Sequence, residues 1–246
     1  MGRPLLGISA LAVITAATTL PQPSRAEPKA VIELFTSQGC SSCPPADKML
    51  GELARDDGLV TMTLPIDYWD YLGWKDTLAR PRHTVRQRGY AAVRGDREVY
   101  TPQMVVNGMR QVLGSDRRAI EAALAQTRDP PMLTIPVTVS GDADRLVVTV
   151  EAAHDMELAG EVWVCALAKT VAVKIARGEN SGHTMTYHNV VRRWIKLGAW
   201  DGTRQSWTVP KTVFDDEGID SVAVLLQAGM MEKPGAVLGA AVATLH

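Results

Sequence analysis

The chain has 246 residues, of which 46% are hydrophobic and 22% charged, with a formal net charge of −1. That composition is ordinary for a globular protein, leaves room for one large domain or two modest ones, and supports a core that needs no cross-links. A balance this close to neutral gives no electrostatic footprint for nucleic acid.

The first residues, MGRPLLGISALAVITAATTLPQPSRA, place Arg3 before an apolar run from Leu5 to about Leu20, then small residues ending at Ala26. The pattern predicts a secretory signal peptide over residues 1–26, cleaved after Ala26. A membrane anchor would need about 20 uninterrupted apolar residues, and here Pro21 and Pro23 close a shorter run. Cleavage removes Arg3 and Arg25 and no acid, so the balance moves from −1 to −3. The expected mature protein is periplasmic or secreted, has no stable membrane span, and works in a compartment where disulfides persist.

From residue 27 to 128 the pattern alternates strand and helix. AVIELF at 30–35 is a continuous apolar run of the kind buried strands show, and a helix is expected from Ser41 to Arg55. LVTMTLPID at 59–67 gives a second strand, YWDYLGWKD at 68–76 an aromatic loop, and the stretch from Pro81 to Val93 a second helix. Met104 to Val106 and Arg110 to Leu113 form a hairpin around Asn107-Gly108, and Ser115 is placed as the cap of a last helix. TRDPPM at 127–132 then breaks the pattern and marks a boundary. Residues 132–246 read as short alternating runs separated by Gly, Asp and Asn, which predicts an all-β domain, an immunoglobulin-like sandwich.

GCSSCPP at 39–45 holds Cys40 and Cys43, two of the three cysteines in the chain. As a staple the pair is weak: loop-closure entropy gives roughly 2 kcal/mol for so short a ring, against nearly 5 for a ring of over 100 residues. At the start of a helix following a buried strand, the same spacing suits thiol exchange. The helix terminus favours an anion by up to ~2 kcal/mol, enough to bring a thiol from about 8.5 towards 7. Cys40 is the expected nucleophile and Cys43, one turn deeper, the resolving thiol. Pro44 and Pro45 either hold the first turn slightly open or are ordinary helix-start prolines.

A buried strand, GCSSC, a helix, and later TP leading into a hairpin and closing helix together resemble the thioredoxin fold. The resemblance implies that Pro102 is a cis-proline beside the cysteine pair, and that Thr101 presents backbone to an extended substrate. It also implies a buried acid serving as a proton relay, for which Glu33 is the nearest match, although one extra residue separates it from the cysteine. The whole chain is similar to a family of exported bacterial proteins with a thioredoxin-like half, catalogued as a domain of unknown function. The stretches that carry this likeness are ELFTSQGCSSCPPAD, DYWDYLGWKD, YTPQMVVNG and RGENSGHTMTYHNVVR.

The aromatic loop, with Tyr68, Trp69, Tyr71 and Trp74, either walls a substrate groove, for which Trp69 is the candidate, or simply plugs the core. Six arginines lie between Arg80 and Arg97 against one acid, Asp96, and read as a solvated helix face more readily than as a patch for an acidic partner. Residues 177–192 either meet the cysteine pair across the domain seam or form a plain hairpin tip. Cys165 reads as a small buried apolar residue. Copper(I) is the metal two thiolates would suit, with His83, His154, His183 and His188 as possible third ligands, but none is close in sequence to Cys40. The expectation is an exported thiol-disulfide oxidoreductase without cofactor or metal, acting on thiols or disulfides of other exported proteins and served by a redox partner protein. The alternative is a copper(I) carrier or an interaction module.

Overall fold

Buried on both faces, the strand β1 (Ala30–Thr36) lies near the middle of an eight-stranded sheet. In the computed structural model, which describes residues 28–128, 131–153, 158–215 and 218–245, β1 is followed by α1 (Pro44–Leu53), β2 (Leu59–Pro65) and α2 (Pro81–Arg94). The hairpin β3 (Gln103–Val106) and β4 (Arg110–Leu113) and the helix α3 (Arg117–Gln126) complete the first half. The signal peptide expected over residues 1–26 lies outside the described residues. The second half is all-β: β5 (Val137–Gly141), β6 (Arg145–Val150), β7 (Gly160–Lys174), β8 (Thr184–Trp200), β9 (Gln205–Pro210), β10 (Ser221–Met230) and β11 (Lys233–Thr244), with one 3-10 turn.

The strand order of the large sheet is β11-β10-β7-β8-β2-β1-β3-β4, and β5-β6-β9 form a second sheet. β1 runs parallel to β2 and antiparallel to β3. The chain is therefore a mixed α/β protein with one large, mostly β sheet and few helices. The boundary expected at 127–132 does not interrupt the sheet, because β8 of the second half pairs with β2 of the first through Val190 and Thr63.

Strand periodicity distributes the core. Ile32 and Leu34 of β1 face Ala46 and Leu50 of α1 and Ile120 and Leu124 of α3. Val31 and Phe35 point to the opposite face, towards Tyr90 of α2. On β7, Trp163, Cys165 and Leu167 join that second face, while Val162, Val164 and Ala166 turn towards Leu146, Val148 and Val150 of the three-stranded sheet. Cys165 is fully buried, and burial pushes its thiol far above the ordinary range.

Two helix starts differ from the sequence reading. α1 begins at Pro44, not Ser41, because Pro44 and Pro45 occupy its first positions and Cys43 becomes the N-cap. α3 is capped by Asp116 rather than Ser115, its carboxylate accepting from the Ala119 N–H at 3.1 Å. The Asn107-Gly108 turn forms as read, both residues at positive φ.

Gly89 sits in the body of α2, where glycine costs about 1 kcal/mol relative to alanine. A Cβ there would lie 2.6 Å from the Glu232 carbonyl oxygen, in the turn between β10 and β11, and 2.8 Å from Pro234 Cδ at the start of β11. The glycine is what allows α2 to dock this closely. Gly89→Ala is expected to destabilise the chain by about 1–3 kcal/mol despite the better helix propensity, read as a lower urea midpoint.

Candidate functional site

The turn leaving β1, residues Ser37 to Gly39, delivers Cys40 to the mouth of α1, where it is joined to Cys43 as a disulfide. Cys43 is completely buried and Cys40 only 5% exposed, flanked by exposed Ser41 and Ser42. The turn is held by side chains from two other segments. Gln38 N–H donates to Asp76 Oδ2 at 2.7 Å, and Trp74 Nε1 donates to Gln38 Oε1 at 2.8 Å. Asn180, on the loop between β7 and β8, donates through Nδ2 to the carbonyls of Gln38 and Cys40, both at 2.9 Å. Ser41 N–H donates to Glu179 Oε2 at 3.3 Å.

Thr101 and Pro102 come to the same place. The peptide between them is cis, and the Ser42 hydroxyl reaches both the Thr101 carbonyl at 3.5 Å and the Cys40 sulfur at 3.4 Å. Trp69 donates its indole N–H to the Thr101 hydroxyl at 2.8 Å and stacks on Tyr71. Its Cβ lies 3.3 Å from where a side chain on Gly39 would begin, so the glycine makes room for it. Of the residues expected at the site, Cys40, Cys43, Thr101, Pro102 and Trp69 are therefore neighbours.

Glu33 is not among them. Ile32 and Leu34 face α1, so the residue between them necessarily points to the other side of the sheet. There its carboxylate accepts from Arg86 Nε at 2.5 Å and Arg86 Nη2 at 3.0 Å, and from the Tyr90 hydroxyl. The expected proton-relay role of Glu33 is thus corrected: it is a buried structural anion.

The acid below the cysteines is Asp47. It lies four residues after Cys43, on the same face of α1, and its N–H donates to the Cys43 carbonyl at 3.1 Å. Neither carboxyl oxygen has a hydrogen-bond partner among the described residues. Burial pushes its pKa from 3.8 up to about 8, with the Asp76 charge adding to the shift; the Thr36 hydroxyl opposes it from nearby without reaching hydrogen-bond geometry. Only its position within CPPAD signalled it in the sequence. Asn180 and Glu179 could not be assigned from sequence at all, since they approach from about 140 residues away.

Asp47 makes stability fall as pH rises. Between about pH 4 and pH 8 the folded chain keeps a proton that the unfolded chain has released, so this group's contribution declines by up to about 1.4 kcal/mol per pH unit. Below and above that window the contribution is flat. Asp47→Asn is expected to gain on the wild type progressively from pH 4 to 8 in urea unfolding, and an equal difference at all pH values would contradict the assignment.

Beside the disulfide, an open cavity of about 830 Å³ runs between α1 and β8, lined by Pro44, Asp47, Asn180, His183, Met185 and His188 among others. Desolvation lowers the pKa of His188. Among the described residues there is no group of three or more His, Cys, Asp or Glu side chains able to hold a metal ion. His83 is buried elsewhere, its Nδ1 bonded to the Pro65 carbonyl at 2.8 Å, and His154 lies outside the described residues.

A family model matches residues 31–227, which is most of the chain. The chain belongs to the family described as "Protein of unknown function (DUF1223)". Within solved structures it is similar to protein AGR_C_4864 from Agrobacterium tumefaciens, at 33% identity and a TM-score of 0.80, covering 91% of this chain and 97% of that one. It is also similar in fold to HBP35 of Porphyromonas gingivalis, at 13% identity and a TM-score of 0.57, covering 89% of this chain and 76% of that one. No curated protein matches. No helix among the described residues is long and apolar enough to cross a membrane.

Proposed function

We propose that this protein is an exported thiol-disulfide oxidoreductase in which Cys40 attacks and Cys43 resolves. The observation that carries the proposal is the Cys40–Cys43 disulfide at the mouth of α1, with Thr101, Pro102 and Trp69 gathered around Cys40. The strand-helix order of residues 27–128, with β2-β1-β3-β4 adjacent in the sheet, supports the thioredoxin-like reading. For residues 132–246 the immunoglobulin-like reading is supported by β5-β6-β9 facing β11-β10-β7-β8, two antiparallel layers over one apolar core. Export is supported by the composition of residues 1–26.

The chemistry follows from the geometry. Cys40 thiolate attacks one sulfur of a substrate disulfide, forming a mixed disulfide and releasing the other substrate sulfur as thiolate. Cys43 then attacks the Cys40 sulfur, closes the internal disulfide and releases the second substrate thiol. Its thiol must first lose a proton; Asp47, buried one turn below with its pKa pushed up to about 8, accepts it when its carboxyl is ionised, a fraction that grows as the pH rises towards 8. Trp69 and Thr101 line the approach to Cys40, where an extended segment of the substrate would lie. Trapping of mixed disulfides by a Cys43→Ala chain tests the proposal; stoichiometric copper(I) uptake with no trapped partner would support a carrier instead.

A further inference from the structure

We propose that Glu179 sets the Cys40–Cys43 pair to work as an electron donor, reducing disulfides of other exported proteins. This rests on the oxidoreductase reading and adds its direction. The direction of a dithiol pair depends on how well its surroundings hold the nucleophilic sulfur as an anion: a well-held thiolate makes a strong oxidant, a poorly held one a reductant.

Most of the donors that would hold a thiolate at Cys40 are spent or missing. The first two residues of α1 are Pro44 and Pro45, which carry no N–H. The next two N–H groups, of Ala46 and Asp47, both donate to the Cys43 carbonyl, and the Cys43 N–H donates to the Cys40 carbonyl at 3.2 Å. The Ser41 N–H, adjacent to Cys40, is directed to Glu179. What faces the Cys40 sulfur is the Ser42 hydroxyl at 3.4 Å. The carboxyl groups bonded to the turn are Glu179, on the Ser41 N–H, and Asp76, on the Gln38 N–H. Asn180, buried and doubly bonded to the turn, fixes the adjacent Glu179 in place. A thiolate forming at Cys40 therefore meets a carboxylate where a helix mouth usually offers donors.

In the reaction, the reduced pair and a substrate disulfide give the internal disulfide and two substrate thiols; two electrons and two protons pass to the substrate. A dithiol protein of the same compartment restores the reduced pair by the reverse exchange.

The test uses the mature chain with Glu179→Gln and Glu179→Asp. Cys40 thiol ionisation is read from the pH profile of alkylation, and the redox equilibrium from a glutathione titration at pH 8. Because Glu179 is exposed and screened, the expected change is modest. Glu179→Gln should raise both the Cys40 acidity constant and the reduced fraction constant about threefold, about 14 mV at 29.6 mV per tenfold, while Glu179→Asp stays near the wild type. Equal profiles for wild type and Glu179→Gln, or a wild-type Cys40 already ionised well below pH 6, would overturn the inference and leave the oxidoreductase reading intact. A wild-type pair that never cycles with glutathione would sink that reading itself.

Discussion

A Cys43→Ala chain is expected to accumulate covalent complexes with exported proteins, stable without reductant and dissolved by dithiothreitol, whereas Cys40→Ala forms none and loses exchange activity by at least about a thousandfold. The asymmetry follows from burial and surroundings. Cys43 is fully enclosed, the N-cap of α1, and out of reach of a macromolecular disulfide. Cys40 is 5% exposed, but the residues next to it, Ser41 and Ser42, are exposed, and Thr101 and Trp69 stand across from them. Only Cys40 can form the intermolecular bond, and only Cys43 is placed to break it. Alanine at 43 therefore stops the reaction after its first step. The complexes are read on non-reducing gels from cells expressing the full chain; trapping by Cys40→Ala instead would reverse the assigned roles.

Much of this site was legible because it is local. A buried run, two cysteines three residues apart and two prolines fix a strand, a turn and a helix start within sixteen residues, and Thr101-Pro102 precedes a hairpin marked by Asn107-Gly108. The order of elements up to α3 follows from the same punctuation. What was not legible depends on which face of a sheet a helix covers. AVIELF alternates, so Glu33 had to face away from Ile32 and Leu34, but only the folded chain reveals that α1 packs on those two. Asp47, four residues after Cys43, is equally visible in the sequence, whereas the resemblance points to an acid on the strand. The reading of residues 177–192 left two alternatives open, and Asn180 decides between them through a contact no local pattern encodes.

The arginine-rich helix shows the same division. Arg80, Arg82, Arg88 and Arg97 are exposed, as a solvated face requires, but Arg86 is completely buried. Periodicity assigns a position to a face; it does not show that the face opposite holds an anion.

Arg86→Met is expected to destabilise the chain by about 3–5 kcal/mol. Arg86 and Glu33 have side chains 0% and 1% exposed, so solvent screens neither charge. Besides Glu33, the guanidinium donates to the Tyr90 hydroxyl at 2.9 Å and Gln227 Oε1 at 2.8 Å, and its carbon lies 4.6 Å from the Trp194 ring centre. Desolvation works against the charge, yet Glu33 and Tyr90 more than offset it and hold the group above its ordinary range. Removing Arg86 strands the Glu33 carboxylate in an apolar core, and that stranded charge, more than the lost bond, is the source of the cost. A second substitution separates the two: Glu33→Leu in the Arg86→Met background should recover at least about half of the loss, since no buried charge then remains. Because β1, α2, β8 and β10 each contribute a residue to this cluster, both halves should melt together, with one urea transition followed alike by tryptophan fluorescence and by circular dichroism. Two separate transitions in Arg86→Met would mean that the cluster joins halves which otherwise fold alone, and no recovery in the double variant would show that packing around Trp194, not charge, carries the energy.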